Sequence, residues 1–237
     1  MSDLFTLDIG ATSMKWFDIT GERRHRRTPR PLSPATVGDV VARIVPTRAT
    51  RIVVGFPGVI RRGVVHDAVH LPEARGGLVD AATRAQWDRY PLAAELSRVT
   101  GRDCLVVNDA ELAGFHLIDG EGRELVVTLG TSCAVALFED GAPQELDDVG
   151  ATVCDGRSYD DRVGSAAKRH DDVQWRVDVV EVLSRLRTTF TPRVIWLSGG
   201  NTEESFAMQD IVVKPGPSAL FGGDAAWRHY RGHSSTC

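Results

Sequence analysis

The chain has 237 residues, of which 42% are hydrophobic and 25% are charged, and its formal net charge is −4. This length allows one large domain or two smaller lobes, and the mildly acidic charge gives no indication of nucleic-acid binding. No apolar run approaches the roughly 20 residues of a membrane-spanning helix, and the N-terminus lacks the basic and apolar regions of a signal peptide. We therefore expect a soluble, cytoplasmic protein that binds neither nucleic acid nor membranes.

The four cysteines, Cys104, Cys133, Cys154 and Cys237, form no CxxC pair and show no metal-ligand spacing. Three of them lie among apolar or small residues, which is typical of buried free thiols. We expect free cysteines rather than a disulfide framework.

Residues 4–19 predict a β-hairpin in which two runs of strand-forming residues flank the turn Gly10-Ala-Thr-Ser13. The turn offers backbone N–H groups and the Thr12 hydroxyl, with Asp8 before it and Lys15 after it. Such groups are suited to holding a phosphate chain and its metal ion. The hairpin alone is a weak signal, because most similar hairpins bind nothing.

A basic stretch without hydrophobic periodicity follows at residues 21–30 and contains Arg23, Arg24, Arg26 and Arg27. One interpretation is a charged loop, or an edge strand that its charge protects from pairing. The other is a surface that guides a polyanion. Both remain open at this point, with the first favoured.

The rest of the first half predicts alternating helices and strands. A helix near residues 37–44 is followed by a buried strand at residues 51–55, which enters a glycine loop. Pro91 and Gly101 mark the start and the stop of a second helix. The next strand ends at Asn108-Asp109, just before another helix.

The second half repeats this order. A hairpin at residues 125–138 turns at Gly130-Thr131, an amphipathic helix covers residues 175–190, and a buried strand ends at Gly199-Gly200. A last helix begins near Gly222. Each half therefore runs hairpin, helix, strand and glycine turn, an internal repeat that predicts two α/β lobes with mixed sheets.

Five motifs follow one another along the chain: Asp8-Ile-Gly-Ala-Thr-Ser-Met-Lys15, Val54-Gly-Phe-Pro-Gly58, Asn108-Asp109-Ala110, Thr128-Leu-Gly-Thr131 and Leu197-Ser-Gly-Gly200. Together and in this order they resemble the motifs of the ROK sugar kinases, most of all those of the polyphosphate/ATP glucokinase branch. The resemblance implies a two-lobed, actin-like ATPase (ribonuclease H-like) α/β fold with a cleft between the lobes. Residues 1–113 would form the first lobe and residues 114–237 the second, with the last helix as a candidate to return to the first.

On the donor side, the resemblance implies ATP and Mg²⁺, with polyphosphate as an alternative donor. Phosphoryl transfer depends chiefly on positioning and charge neutralisation, which backbone-lined hairpins and a metal ion provide. Gly199 and Gly200 would let the chain pass close to the nucleotide. The residues expected to bind the donor phosphates and Mg²⁺ are Asp8, Gly10, Thr12, Lys15, Gly130 and Thr131.

On the acceptor side, Asp109 resembles the family's catalytic base, which takes a proton from a sugar hydroxyl. The alternative is that Asn108-Asp109 only caps the next helix. The residues expected to bind the acceptor are Gly58, His70, Asn108, Asp109, Glu145 and Asp148.

Several positions depart from the family pattern. Asp148 stands where the family has His, His70 where it has Asn, and an extra stretch near residues 73–84 lengthens one loop. These changes predict a carbohydrate or cyclitol kinase with an acceptor pocket altered from that of a glucokinase. If the register is shifted, Asp147 and Asp148 are instead ordinary surface charges.

The alternative function is a catalytically weak sugar- or nucleotide-binding relative, because Ser132-Cys133-Ala134 replaces further glycines of the second hairpin. A DNA-binding repressor is not expected, since only seven residues precede Asp8. The resemblance also implies a homodimer. The family's cysteine-rich zinc motif is absent, so we expect no structural metal.

Overall fold

The computed structural model describes residues 3–68 and 81–232, which form two compact units. Unit 1 comprises residues 3–68, 81–112 and 219–232, and unit 2 comprises residues 113–218. Each unit is an α/β structure built on a five-stranded mixed sheet.

The described residues of unit 1 form seven strands and several helices. Its strands are β1 (Leu4–Ile9), β2 (Ser13–Phe17), β3 (Arg23–Arg27), β4 (Arg51–Phe56), β5 (Val59–Arg61), β6 (Val64–Asp67) and β7 (Asp103–Asn108). Its helices are α1 (Pro34–Ile44), α2 (Ala81–Trp87), α3 (Leu92–Thr100), the first residues of α4 (Asp109–Leu117), α8 (Ser218–Phe221) except its first residue, and α9 (Gly223–Arg231).

Unit 2 contains the remaining elements. Its strands are β8 (Arg123–Leu129), β9 (Cys133–Glu139), β10 (Ala142–Gln144), β11 (Val153–Cys154), β12 (Arg157–Ser158), β13 (Val194–Ser198) and β14 (Ile211–Val213). Its helices are the rest of α4, α5 (Tyr159–Val163), α6 (Ser165–His170) and α7 (Asp172–Phe190), together with 3₁₀ turns at Val149–Ala151 and Glu204–Phe206.

The two large sheets have the same topology. The strand order is β3-β2-β1-β4-β7 in unit 1 and β10-β9-β8-β13-β14 in unit 2. In each, the first strand of the hairpin pairs antiparallel with the second and parallel with a later strand of the unit. The predicted internal repeat of hairpin, helix and strand is therefore confirmed at the level of sheet topology.

In unit 1 the period-2 alternation of β1 separates the core from the opposite face. Phe5, Leu7 and Ile9 are buried in the hydrophobic core, so the intervening Thr6 and Asp8 lie on the other side of the sheet. Helix α9 packs on β1 there. A Cβ at Gly223 would lie 2.0 Å from Thr6 Oγ1, so the helix approaches the strand through a glycine.

In unit 2 the long helix α7 supplies the apolar stripe that covers the sheet. Trp175, Val179 and Leu183 of this helix are buried in the core. The indole N–H of Trp175 donates to the carbonyl of Val163 at 2.8 Å, so the burial of this large side chain leaves its polar atom satisfied. The predicted amphipathic helix at residues 175–190 is confirmed, and it begins three residues earlier.

Several local predictions are also decided by the structure. The helix that begins after Pro91 ends at Gly101, whose φ of 65° is the left-handed cap that glycine favours. Within the basic stretch, Arg23–Arg27 form the edge strand β3, and these five residues are all exposed. Cys104 and Cys133 are buried free thiols. None of the helices described is long and apolar enough to cross a membrane.

Candidate active site

Asp8 and Lys15 form an ion pair across the first hairpin. They are directly opposed in the β1–β2 ladder, so their side chains share a face of the sheet. Lys15 Nζ lies 3.0 Å from Asp8 Oδ2, and the carboxylate is nearly buried while the lysine is more than one-third exposed. A nearly buried carboxylate next to an accessible ammonium group can bind a cation on one side and a phosphate on the other.

Two residues beyond the basic strand hold the turn of this hairpin. Thr28 Oγ1 donates to the Gly10 carbonyl at 2.7 Å, and Arg30 Nη2 donates to the Ala11 carbonyl at 2.9 Å. Thr12, the hydroxyl predicted to contact phosphate, is exposed on the turn. Sequence reasoning missed Thr28 and Arg30, because neither belongs to the hairpin motif.

Asn108 joins the end of β7 to two other segments. Its Oδ1 accepts hydrogen bonds from the backbone N–H groups of Ala110 (2.9 Å) and Glu111 (3.1 Å), and thereby caps helix α4. Its Nδ2 donates to the Gly58 carbonyl at 2.9 Å. The capping role weighed against ligand binding is thus real for Asn108, and it fixes the position of Asp109.

The Gly58 loop requires its glycine. The residue has φ of +124°, and a Cβ there would lie 2.1 Å from the carbonyl oxygen of Asp67. No other residue type fits this close backbone approach without displacement. The loop that Asn108 holds is therefore shaped by a close backbone approach between Gly58, which precedes β5, and Asp67, the last residue of β6.

Asp109 lies next to Asp8, with Gly55 between their elements. Gly55 is opposite Asp8 in the β1–β4 ladder, and a Cβ on Gly55 would lie 3.4 Å from Asp109 Cα. The missing side chain lets the start of α4 approach the sheet. Burial, together with the nearby charge of Asp8, raises the pKa of Asp109 from 3.8 to about 7, against smaller opposing effects that include Lys15.

Glu111, in the first turn of α4, is a second perturbed carboxyl group. Burial raises its pKa to about 7, although a hydrogen bond from Tyr230 opposes the change. Tyr230 Oη donates to Glu111 Oε1 at 2.6 Å. The predicted site residues did not include either one, because a pair separated by 119 residues leaves no local sequence signal.

In unit 2, the carbonyl of Gly130 is held by three donors. They are the backbone N–H of Ser165 (2.9 Å), Ser165 Oγ (2.7 Å) and Asn201 Nδ2 (2.8 Å). Gly164, next to Ser165, has room for no side chain, since its Cβ would lie 2.5 Å from the Thr131 carbonyl. The second hairpin is thereby fixed from both sides of its turn.

The predicted nucleotide loop packs against the same hairpin. Gly199 has φ of +108°, and a Cβ there would lie 2.3 Å from the Leu129 carbonyl, which accepts the backbone N–H of Asn201 at 3.0 Å. Gly200, by contrast, has open space where a Cβ would project. The structure therefore brings together the two predicted groups of unit 2 through Asn201, the residue that follows Gly200.

The remaining predicted acceptor residues are Glu145, Asp148 and His70. Glu145 is exposed, and Asp148 Oδ1 accepts from the backbone N–H of Gly150 at 3.1 Å, so Asp148 caps a 3₁₀ turn of unit 2. His70 lies outside the described residues, as do residues 73–80 of the extra stretch near residues 73–84. Residues 81–84 of that stretch begin helix α2.

No family model matches the chain. The polyphosphate glucokinase of Mycobacterium tuberculosis (strain ATCC 25618 / H37Rv) is 25% identical over 214 residues, which cover 83% of this chain and 77% of that protein. The solved inorganic polyphosphate/ATP-glucomannokinase from Arthrobacter sp. strain KM has a TM-score of 0.75 and 25% identity, and covers 95% of this chain and 99% of its own.

A ROK family glucokinase from Streptomyces griseus, solved with glucose and AMPPNP, has a TM-score of 0.66 and 14% identity over 93% of this chain and 98% of its own. At that identity the likeness concerns the fold alone. The resemblance inferred from the five motifs is confirmed: the chain is a homologue of the polyphosphate glucokinases and has the two-domain, actin-like ATPase fold of the ROK sugar kinases.

Proposed function

We propose that this protein is a sugar kinase, which transfers a phosphoryl group from ATP or polyphosphate to a hydroxyl group of a carbohydrate or cyclitol. The observation that carries the proposal is the arrangement of Asp8, Lys15 and Asp109 in unit 1. The hairpin ion pair lies beside a carboxyl group whose pKa of about 7 suits a general base near neutral pH. The homology to polyphosphate glucokinases supports the same conclusion.

In this proposal Asp109 accepts the proton of the attacking hydroxyl. The acceptor oxygen forms a bond to the terminal phosphorus of the donor, and the bond from that phosphorus to its bridging oxygen breaks. The products are a phosphate ester and the donor shortened by one phosphate. Because the carboxylate form is required, activity rises as pH passes the pKa of Asp109.

The donor phosphates are assigned to the backbone of the hairpin turns. Gly10, Thr12 and Lys15 would bind them in unit 1, and unit 2 offers a second such turn at Gly130 and Thr131. Gly199 and Gly200 would bind the nucleotide when the donor is ATP. The hydrogen bonds that Thr28 and Arg30 donate to the first turn, and Ser165 and Asn201 to the second, keep these turns fixed. Electrostatic stabilisation of a transferred phosphoryl group requires such fixed groups.

Asp8 fits the Mg²⁺ that such a donor carries. Magnesium is commonly held by one or two carboxylates together with substrate phosphates, and Asp8 is a nearly buried carboxylate whose Oδ2 lies 3.0 Å from Lys15 Nζ. When bound, the ion would neutralise charge that develops on the phosphates. Lys15 would then be released from Asp8 toward the donor.

We further propose that the acceptor is not simply glucose. Asp148 differs from the family pattern, and Glu145 is exposed and able to contact a ligand. An acceptor with an additional donor group or a positive charge, such as an amino sugar, would suit two carboxylates.

We also propose, from the resemblance to the ROK sugar kinases, that the protein acts as a homodimer. Light scattering on the purified protein tests this oligomeric state.

The decisive experiment is a phosphotransfer assay with ATP and with polyphosphate against a panel of hexoses, amino sugars and cyclitols. Turnover of at least one pair of donor and acceptor is expected. If glucose is preferred by a wide margin, the altered acceptor pocket is wrong. If no pair is turned over while sugar or nucleotide still binds, the protein is a binding relative rather than a kinase.

A further inference from the structure

The register of the first sheet continues the row of site residues to the exposed edge strand. Asp8 is opposite Lys15, and Lys15 is opposite His25. Directly opposed residues of neighbouring strands project from the same face of a sheet. Strands lie about 4.8 Å apart, so His25 is roughly 10 Å from Asp8 across the sheet.

Arg23 and Arg27 flank His25 on this face, because side chains two residues apart on a strand point the same way. Arg27 is opposite Ser13, at the end of the turn assigned to phosphate. We call these three residues, Arg23, His25 and Arg27, the β3 cationic face. It extends for about 13 Å along the strand, at roughly 3.3 Å per residue.

The other two arginines of the strand lie on the opposite face. Arg24 is opposite Trp16 and Arg26 is opposite Met14, and both partners belong to or pack on the hydrophobic core. Arg24 is also neutralised, because its Nε lies 2.7 Å from Asp18 Oδ2 and its Nη2 lies 2.9 Å from Glu22 Oε2. The five basic residues are therefore not one equivalent cluster.

The side chains of the β3 cationic face have no partner within the part of the chain that the structure describes. Among residues 3–68 and 81–232, neither Arg23 nor Arg27 forms a side-chain ion pair or hydrogen bond, and His25 forms none either. Charge on an edge strand also discourages pairing with other chains. That explanation accounts for basic residues anywhere on β3, whereas it does not require a continuous row with Asp8 and Lys15.

We propose that the β3 cationic face binds the distal phosphates of a linear inorganic polyphosphate whose reacting end lies at the Asp8–Lys15 hairpin. This inference rests on the proposed kinase function and assigns to it a donor subsite. A linear polyanion suits two arginines and a histidine spaced along one face of a strand. ATP carries only three phosphates, so its use does not depend on this face.

The test compares Arg23→Gln/Arg27→Gln with Arg26→Gln/Arg24→Gln, two double variants with equal loss of charge on opposite faces of one strand. With long-chain polyphosphate as donor, the first pair raises KM about tenfold or more and flattens the salt dependence of kcat/KM, because screening has fewer charges to act on. The second pair leaves both within about twofold. With ATP, neither pair changes KM more than about twofold.

Equal effects of the two pairs on polyphosphate KM would overturn the proposal, since they would reflect net charge alone. Turnover of ATP but not of polyphosphate by the wild type would also overturn it and would leave the kinase function standing. If neither donor is turned over, the kinase function fails. Equilibrium binding of labelled polyphosphate to the same variants then shows whether the β3 cationic face binds polyphosphate. Weaker binding confined to the Arg23/Arg27 pair would support it, and equal binding would refute it.

Discussion

Tyr230 Oη donates a 2.6 Å hydrogen bond to Glu111 Oε1, and so joins the last helix of the chain to the first turn of α4. Glu111 in turn donates its backbone N–H to Asn108 Oδ1. The proposed base, Asp109, lies between Asn108 and Glu111 in the sequence. The C-terminal helix of unit 1 therefore supports the segment that carries the proposed chemistry.

We expect Tyr230→Phe to lower the free energy of unfolding by about 1 kcal/mol, because it removes one hydrogen bond to a carboxyl group at a partly exposed position. The value is measured by urea denaturation. Glu111→Gln provides the second arm of a double-mutant cycle, and the effects of the two changes should be less than additive. Full additivity would show that the hydrogen bond contributes nothing.

Stability should fall as pH rises from about 4 to about 7. Asp109 and Glu111 each have a pKa of about 7 in the folded protein, above their ordinary values of 3.8 and 4.5. The folded state therefore binds more protons than the unfolded state in this window, and its advantage is lost as the pH approaches 7. Thermal unfolding of the protein in EDTA measures the change.

The matched variant for that profile is Asp109→Asn, which cannot ionise. Its melting temperature relative to wild type should be higher at pH 8 than at pH 5, where the wild-type carboxyl group is protonated. An equal difference at both values would mean that Asp109 has an ordinary pKa in the folded protein.

Asn201→Ala should weaken use of the donor. The change removes the amide that donates to the Gly130 carbonyl at 2.8 Å and to Ser165 Oγ at 3.0 Å. We expect KM for the donor to rise several-fold and stability to fall by about 1 kcal/mol. Ser205→Ala, at an exposed position where the hydroxyl donates to Glu203 Oε2 at 3.4 Å, is the control and should leave both unchanged. The same KM for the two variants would remove Asn201 from the donor side.

Gly58→Ala should be much more destabilising than Gly21→Ala. Both residues have positive φ, of +124° and +83°, but only the new Cβ at residue 58 meets backbone, at 2.1 Å from the Asp67 carbonyl. The Gly21 change should cost about 1 kcal/mol, and the Gly58 change several times more. Chemical denaturation of the two variants compares these costs, and similar values would refute the close backbone approach.

Much of the fold follows from the sequence because its signals are local. Alternating apolar residues define β1, helical periodicity defines α7, and Gly101 ends α3 with a left-handed residue. The repeat of these patterns predicted two similar sheets, and the topology confirms them.

The register and the long-range partners do not follow in this way. The sequence Arg-Arg-His-Arg-Arg has no apolar alternation, so nothing in it decides which of its side chains share a face with Lys15. Nothing in the sequence distinguishes Asn201 and Ser165 from other polar residues. Their role as donors to the Gly130 carbonyl depends on the folded structure, which brings them together. The role assigned to Asp8 in donor and Mg²⁺ binding and the role assigned to Asp109 as catalytic base stay predictions.

The most direct test is the kcat of Asp109→Asn with whichever donor and acceptor the wild type uses, measured at pH 8. Removal of a general base should lower kcat by about 10² to 10⁴-fold, while KM for the donor stays within a few-fold and the variant remains folded. A kcat within threefold of the wild type would contradict the assignment of Asp109 as the base, and with it the central claim about how this site transfers phosphate.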